Sequence, residues 1–184
     1  MSDMKLVGLC GSLRKASTNR MLMNEAARIF GPASFAEGDL NLPIFNEDIQ
    51  NGPGIPAEVQ ALSALIGGAD AVILATPEYN KGTSGAMKNA LDWISRTKNA
   101  PWKDKPVAVV SASSGAQGGA RAHSMLRTMM LPFSPILIPG PEVMLGQSGQ
   151  QFDEEGRLTS EMGVKLLGEL MGKLRAEALR MRQV

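Results

Sequence analysis

Hydroxyl, amide and guanidinium donors gather in Gly11-Ser12-Leu13-Arg14-Lys15-Ala16-Ser17-Thr18-Asn19, and that mixture suits an anion. Gly11 permits a turn. Backbone N–H groups at the start of a following helix face outward, with the positive end of the helix dipole behind them. Ser12, Ser17, Thr18 and Asn19 add hydroxyl and amide donors, and Arg14 adds a charge-assisted bond. A phosphomonoester carrying about two negative charges fits this cradle without Mg²⁺. Taken alone, the loop also reads as a capped helix with a polar lead-in.

Other phosphate devices fail on spacing. GxGxxG is absent after the first apolar run, where the residues are Gly8-Leu9-Cys10-Gly11-Ser12-Leu13-Arg14, and GxxxxGK[ST] is absent throughout. A thiolate phosphatase loop needs Cys-x5-Arg, but the sixth residue after Cys10 is Ala16, so Cys10 reads as a small buried residue. One cysteine closes no intrachain disulfide, and a single His123 forms no cluster with metal spacing. His123 has no partner motif for a general base and reads as structural or surface. Trp93 sits among core-like neighbours and reads as packing. Met125, Met129 and Met130, beside Leu131 and Phe133, read as core or as a subunit interface.

Two further segments punctuate the chain in the same way. Thr76-Pro77-Glu78-Tyr79-Asn80-Lys81-Gly82-Thr83-Ser84-Gly85 follows Ala71 to Ala75, whose length and Val/Ile/Leu content suit a fully buried parallel strand. Ala112 to Gly119, with Ser113, Ser114 and Gly115, follows a second such run, Val107 to Ser111.

The elements around these loops alternate strand and helix. Lys5 to Leu9 is a strand, and Thr18 or Asn19 can cap a helix whose Leu22, Ala26, Ile29 and Phe30 share a face until Gly31-Pro32. Ser34 to Gly38 is a weak edge strand, and Leu40 to Gly54 is an irregular connection. Pro56 opens a helix with Val59, Leu62, Leu65 and Ile66; Ala86, Met87, Ala90, Leu91 and Ile94 mark the next. A helix over Arg121 to Met130, a strand over Pro135 to Ile138 and a closing helix from Leu166 to Met181 complete the pattern. This is a three-layer, doubly wound α/β arrangement with five parallel strands, expected in the order 2-1-3-4-5. Strands 1, 3 and 4 are then central neighbours, and their exit loops form one crevice at the switch point.

Composition narrows the partners. With 184 residues and 43% hydrophobic content, a single domain over 1–184 is expected. Nineteen Lys+Arg against 18 Asp+Glu leave no basic stripe for nucleic acid. The start, Met1-Ser2-Asp3-Met4-Lys5, has no leader pattern, and no apolar run reaches the roughly 20 residues of a membrane helix. A cytoplasmic location is expected.

Taken in order, GSLRKASTN after the first strand, TPEYN followed by GAMKNALDW after the third and SASSGAQGGAR after the fourth resemble the NAD(P)H-dependent FMN reductases, nearest to bacterial quinone and chromate reductases. The resemblance covers almost the whole chain. It implies a flavodoxin-like fold that holds FMN, uses NADH or NADPH as co-substrate and passes hydride on to quinones or chromate. It assigns Ser12, Arg14, Ser17, Thr18 and Asn19 to the FMN phosphate. Pro77, Glu78, Tyr79, Asn80 and Lys81 fall beside the ribityl chain and ring. Ser113, Ser114 and Gly115 fall at the ring's pyrimidine edge. Lys81 departs from the aromatic residues familiar at that position in close relatives, and a cation there would favour anionic acceptors. A homodimer or homotetramer is implied. No side chain is assigned as a catalytic acid or base, because the cofactor carries the reactivity. The alternatives are a flavodoxin-type one-electron carrier and a non-enzymatic flavin or nucleotide sensor. A net charge of +1 and 4% aromatic residues fit the carrier less well.

Overall fold

A computed structural model describes residues 4–183; the leader reading at Met1-Ser2-Asp3 lies outside them. Three strands are shielded on both faces: β1 (Lys5–Cys10), β3 (Ala71–Thr76) and β4 (Pro106–Ala112), buried along nearly their whole length. β2 (Ser34–Gly38) is exposed over most of its length and lies at the edge. The sheet runs β2-β1-β3-β4-β5 with every described pair parallel, which is the expected doubly wound order.

The fifth position differs from expectation. One strand over Pro135 to Ile138 was expected, but two short ones stand there: β5 (Ile136–Leu137) beside Pro106 and Val107, and β6 (Val143–Leu145) beside Val110 to Ala112. Three residues against β4 leave too little alternation for a strand to be read locally. The Leu40 to Gly54 connection also holds one element, the short helix α2 (Glu47–Asn51), capped by Asn46.

Helices cover both faces. Leu6, Cys10 and Ile73 pack under α1 (Thr18–Phe30) and α6 (Glu161–Met181), through Leu22, Ala26, Leu167, Leu170 and Leu174. Val7, Leu9, Val72, Leu74 and Val109 pack under α3 (Ala57–Gly67), α4 (Gly85–Ile94) and α5 (Ala120–Met130). Alternate residues of β1 therefore serve opposite cores, as the period-2 pleat requires. No described helix is long and apolar enough to cross a membrane.

Candidate functional site

The carboxyl ends of β1, β3 and β4 open into one crevice of about 260 Å³. Its walls come from the three expected loops: Ser12, Arg14, Ser17, Thr18 and Asn19 from the first, Pro77, Glu78 and Tyr79 from the second, and Ser113 and Ser114 from the third. Asn80, Lys81 and Gly115 stand outside that lining. Ser148 and Gly149, just past β6, complete it and were not expected from the sequence. Ser148 is buried, its hydroxyl is 3.0 Å from that of Thr18, and its N–H donates to the Ser113 carbonyl at 2.9 Å. The only local signal for it is the Gly/Ser/Gln-rich stretch Gly146-Gln147-Ser148-Gly149.

The first loop is held by its neighbours and leaves its donors open. The Gly11 N–H extends the β1–β3 ladder by donating to Ala75 O at 2.8 Å. A Cβ at Gly11 would lie 2.6 Å from the Ser84 hydroxyl, the residue that caps α4, so the close approach of two loops requires glycine there. The N-cap of α1 is Ser17, one residue before the expected Thr18 or Asn19; its hydroxyl accepts from the Arg20 N–H at 3.3 Å. From Ser12 through Asn19, no backbone N–H finds an acceptor among the described residues. Such a run of donors at a helix start suits an anion.

Asn19 departs from the donor role expected of it. Its side-chain N–H₂ donates to Ala112 O at 2.8 Å and its Oδ1 accepts from Ala112 N–H at 2.9 Å. The side chain thus bridges the first loop to the end of β4. Arg14 Nη2 donates to Ala16 O at 2.8 Å, within its own loop.

The second loop satisfies itself. Tyr79 and Gly82 exchange two backbone hydrogen bonds of 3.0 Å each, and Thr76 and Thr83 join hydroxyls at 2.7 Å. Asn80 and Lys81, at the turn's centre, both have positive φ (50° and 66°), the primed-turn geometry that matches a hairpin's twist. Glu78 turns away to α5: its carboxylate accepts from the N–H groups of Arg121 at 3.0 Å and Ala122 at 3.4 Å. α5 starts at a left-handed Gly119 with no side-chain cap of its own, so Glu78 supplies one from another element.

In the third loop, Ser113 N–H donates to Leu145 O at 3.0 Å and Ser111 Oγ–H to Gly118 O at 2.7 Å. Gly118 has φ +61° and lies against the Met144 backbone, where a Cβ would collide with main chain. The N–H groups of Ser114 and Gly115 have no acceptor among the described residues.

The remaining polar candidates are structural. Burial pushes the Cys10 thiol up, so it stays protonated. His123 is fully buried, with Nε2–H placed to donate to Val109 O at 3.1 Å, and burial holds its pKa below the ordinary value. Trp93 is buried and donates to Pro43 O at 2.7 Å. Met130 is buried, Met129 is half-buried, and Met125 is 42% exposed beside the Gly82 turn.

A parallel doubly wound sheet with an anion cradle at its switch point defines a nucleotide- or flavin-binding α/β protein. Comparison with known proteins narrows the class. The family model for NADPH-dependent FMN reductase matches residues 4–150, and the chain belongs to that family. It is 36% identical over 182 residues to the NAD(P)H-dependent FMN reductase PA1204 of Pseudomonas aeruginosa, covering 98% of each chain. It is 36% identical over 177 residues to the quinone reductase of Escherichia coli, covering 94% of this chain and 93% of the relative. Among solved structures, FerB of Paracoccus denitrificans, a flavoenzyme NAD(P)H:(acceptor) oxidoreductase, superposes with a TM-score of 0.86 at 30% identity, covering 96% and 98% of the two chains. The fold is flavodoxin-like.

Proposed function

We propose that this protein is an FMN-dependent NAD(P)H:quinone oxidoreductase, with FMN in the crevice between the three loops. The observation that carries the reading is the unbroken run of unpartnered N–H groups from Ser12 to Asn19, flanked by the hydroxyls of Ser12, Ser17 and Thr18. A phosphate needs such donors, and they fit the FMN terminus with no metal. FMN held there would supply the redox chemistry, hydride transfer from NAD(P)H and two-electron reduction of a quinone.

The chain's own residues bind and orient. Ser12, Arg14, Ser17 and Thr18 hold the phosphate, while Asn19 fixes the loop against β4. Pro77, Glu78 and Tyr79, with Asn80 and Lys81 at the turn, wall the ribityl chain and ring. Ser113, with the free N–H groups of Ser114 and Gly115, faces the ring's polar edge, where fixed dipoles stabilise negative charge that builds during reduction. The crevice is slightly smaller than the roughly 300–1,000 Å³ of typical ligand sites, so a large ring held there would reach the exposed Tyr79 at its mouth. Tyr79 is the chain's only tyrosine, which leaves few aromatics to sandwich a ring as a one-electron carrier does.

The proposal includes a single domain over 1–184, a cytoplasmic location, a homodimer or homotetramer, and chromate as a second acceptor favoured by Lys81. Purified protein titrated with FMN should quench its fluorescence and then oxidise NADH or NADPH continuously when a benzoquinone is present. Failure to bind FMN, or binding with no quinone-dependent turnover, overturns the reading. Lys81→Gln should lower chromate turnover more than quinone turnover.

A further inference from the structure

The first loop's open N–H groups have a counterpart in where its carbonyls go. Arg20, on the first turn of α1, donates through Nη2 to Ser12 O at 3.3 Å and through Nη1 to Arg14 O at 2.6 Å. Its Nε donates to Glu37 Oε1 at 2.7 Å, at the carboxyl end of β2. The hydrogen bond to Glu37 raises the Arg20 pKa further, so the guanidinium stays charged. A third carbonyl of the loop, Ala16 O, is taken by Arg14 Nη2.

Carbonyls of alternate residues, Ser12, Arg14 and Ala16, are therefore each engaged by a guanidinium. A trans peptide is planar and sets its C=O and the next N–H on opposite sides. Holding the Ser12 and Arg14 carbonyls on the one Arg20 guanidinium turns the N–H groups of Leu13 and Lys15 away from it together. An arc of N–H groups of this kind binds anions even though no positive side chain need touch the ligand.

We propose that Arg20, itself fixed by Glu37, is the positioning residue that shapes the first loop into a phosphomonoester site and so sets the preference for FMN over riboflavin. The inference rests on FMN occupying the crevice as proposed above. Arg20 acts by geometry more than by charge, since Glu37 neutralises it at 2.7 Å. A planar fork can serve three acceptors, two on a loop and one on a strand, at once, whereas a lysine ammonium is a single point. The weak edge strand β2 thereby gains a role: it delivers Glu37.

The test measures dissociation constants of FMN and riboflavin, by flavin fluorescence, for wild type, Arg20→Ala, Arg20→Lys and Glu37→Gln, with thermal unfolding of each apoprotein. Arg20→Ala should weaken FMN on the order of ten- to fiftyfold and change riboflavin less than about twofold. Arg20→Lys keeps the charge and should stay at least about fivefold weaker than wild type for FMN. Glu37→Gln keeps an acceptor for Arg20 and should hold FMN within about threefold. Equal weakening of FMN and riboflavin, an unchanged FMN constant in Arg20→Ala, or full restoration by lysine would each overturn the proposal. A wild type that binds FMN no more tightly than riboflavin would instead sink the phosphate-loop reading on which it rests.

Discussion

The first and second loops face each other across one crevice, yet they treat their backbone polar groups in opposite ways. Between Ser12 and Asn19 the N–H groups are open and the carbonyls of Ser12, Arg14 and Ala16 are tied back by guanidinium groups. Between Thr76 and Gly82 the turn closes on itself through Tyr79 and Gly82, and Glu78 is committed to α5. The difference separates two tasks at a binding site. A loop that must bind charge keeps its donors free and is held from outside. A loop that must be a wall satisfies itself internally.

The comparison breaks first at Asn19. Its side chain is the brace that lets the first loop leave its own backbone unpaired, and Asn19→Ala would take a hydrogen-bond partner from both the N–H and the C=O of buried Ala112. A loss of about 2–4 kcal/mol in urea-unfolding free energy is expected, and a loss well under about 1 kcal/mol would show that the brace is dispensable. Ser17→Ala comes next, because it removes both the α1 cap and a hydroxyl of the cradle. It should cost about 1 kcal/mol of stability and weaken FMN more than riboflavin in a fluorescence titration; equal weakening would argue against a phosphate contact.

Glu78 tests the second loop. Glu78→Ala should destabilise by about 1 kcal/mol through the uncapped α5, with Glu78→Gln recovering most of that because the amide oxygen still accepts. Hydrogen exchange concentrated at the α5 amino terminus is the expected signature, and unaltered exchange there would refute the cap. A smaller effect is expected at the turn, where Lys81 sits in the left-handed region that glycine adopts freely. Lys81→Gly should raise the unfolding midpoint by the equivalent of about 0.5–1 kcal/mol; a lower midpoint would mean that the side chain has contacts outweighing the strain.

Acid probes the helix to which that loop is anchored. Burial holds the pKa of His123 on α5 below its ordinary value, so the unfolded chain binds a proton more readily than the folded one. Its neutral form is favourable above about pH 6.5, and stability should fall as pH drops from there toward the folded pKa. Glu142, 3.8 Å from Nδ1, opposes the shift, and Arg127 reinforces it. A free energy of unfolding that stays flat from pH 7 to pH 5.5 would contradict a buried neutral histidine.

Much of this arrangement was legible in the chain. Runs such as Ala71 to Ala75 announce strands buried on both faces, and Ser/Gly/Asn punctuation marks the three loops that line the crevice. The strand order followed from the alternation, because parallel strands need crossovers and a doubly wound sheet has few economical orders. Those features depend on spacing along a few residues, which the sequence states directly.

What the tertiary structure decided lies in pairs far apart in the chain. Asn19 looked like a donor for ligand until Ala112, 93 residues away, took both ends of its side chain. Glu78 lines the crevice, yet its carboxylate is claimed by α5, 43 residues on. Ser148 had only a short polar Gly/Ser/Gln stretch to mark it and meets Thr18 across 130 residues, carried there by a fifth strand position split in two. Sequence fixes which groups a residue can offer, since donors and acceptors are written in its side chain. Which partner receives them depends on the folded approach of distant segments, and a buried polar group takes whatever partner that approach provides.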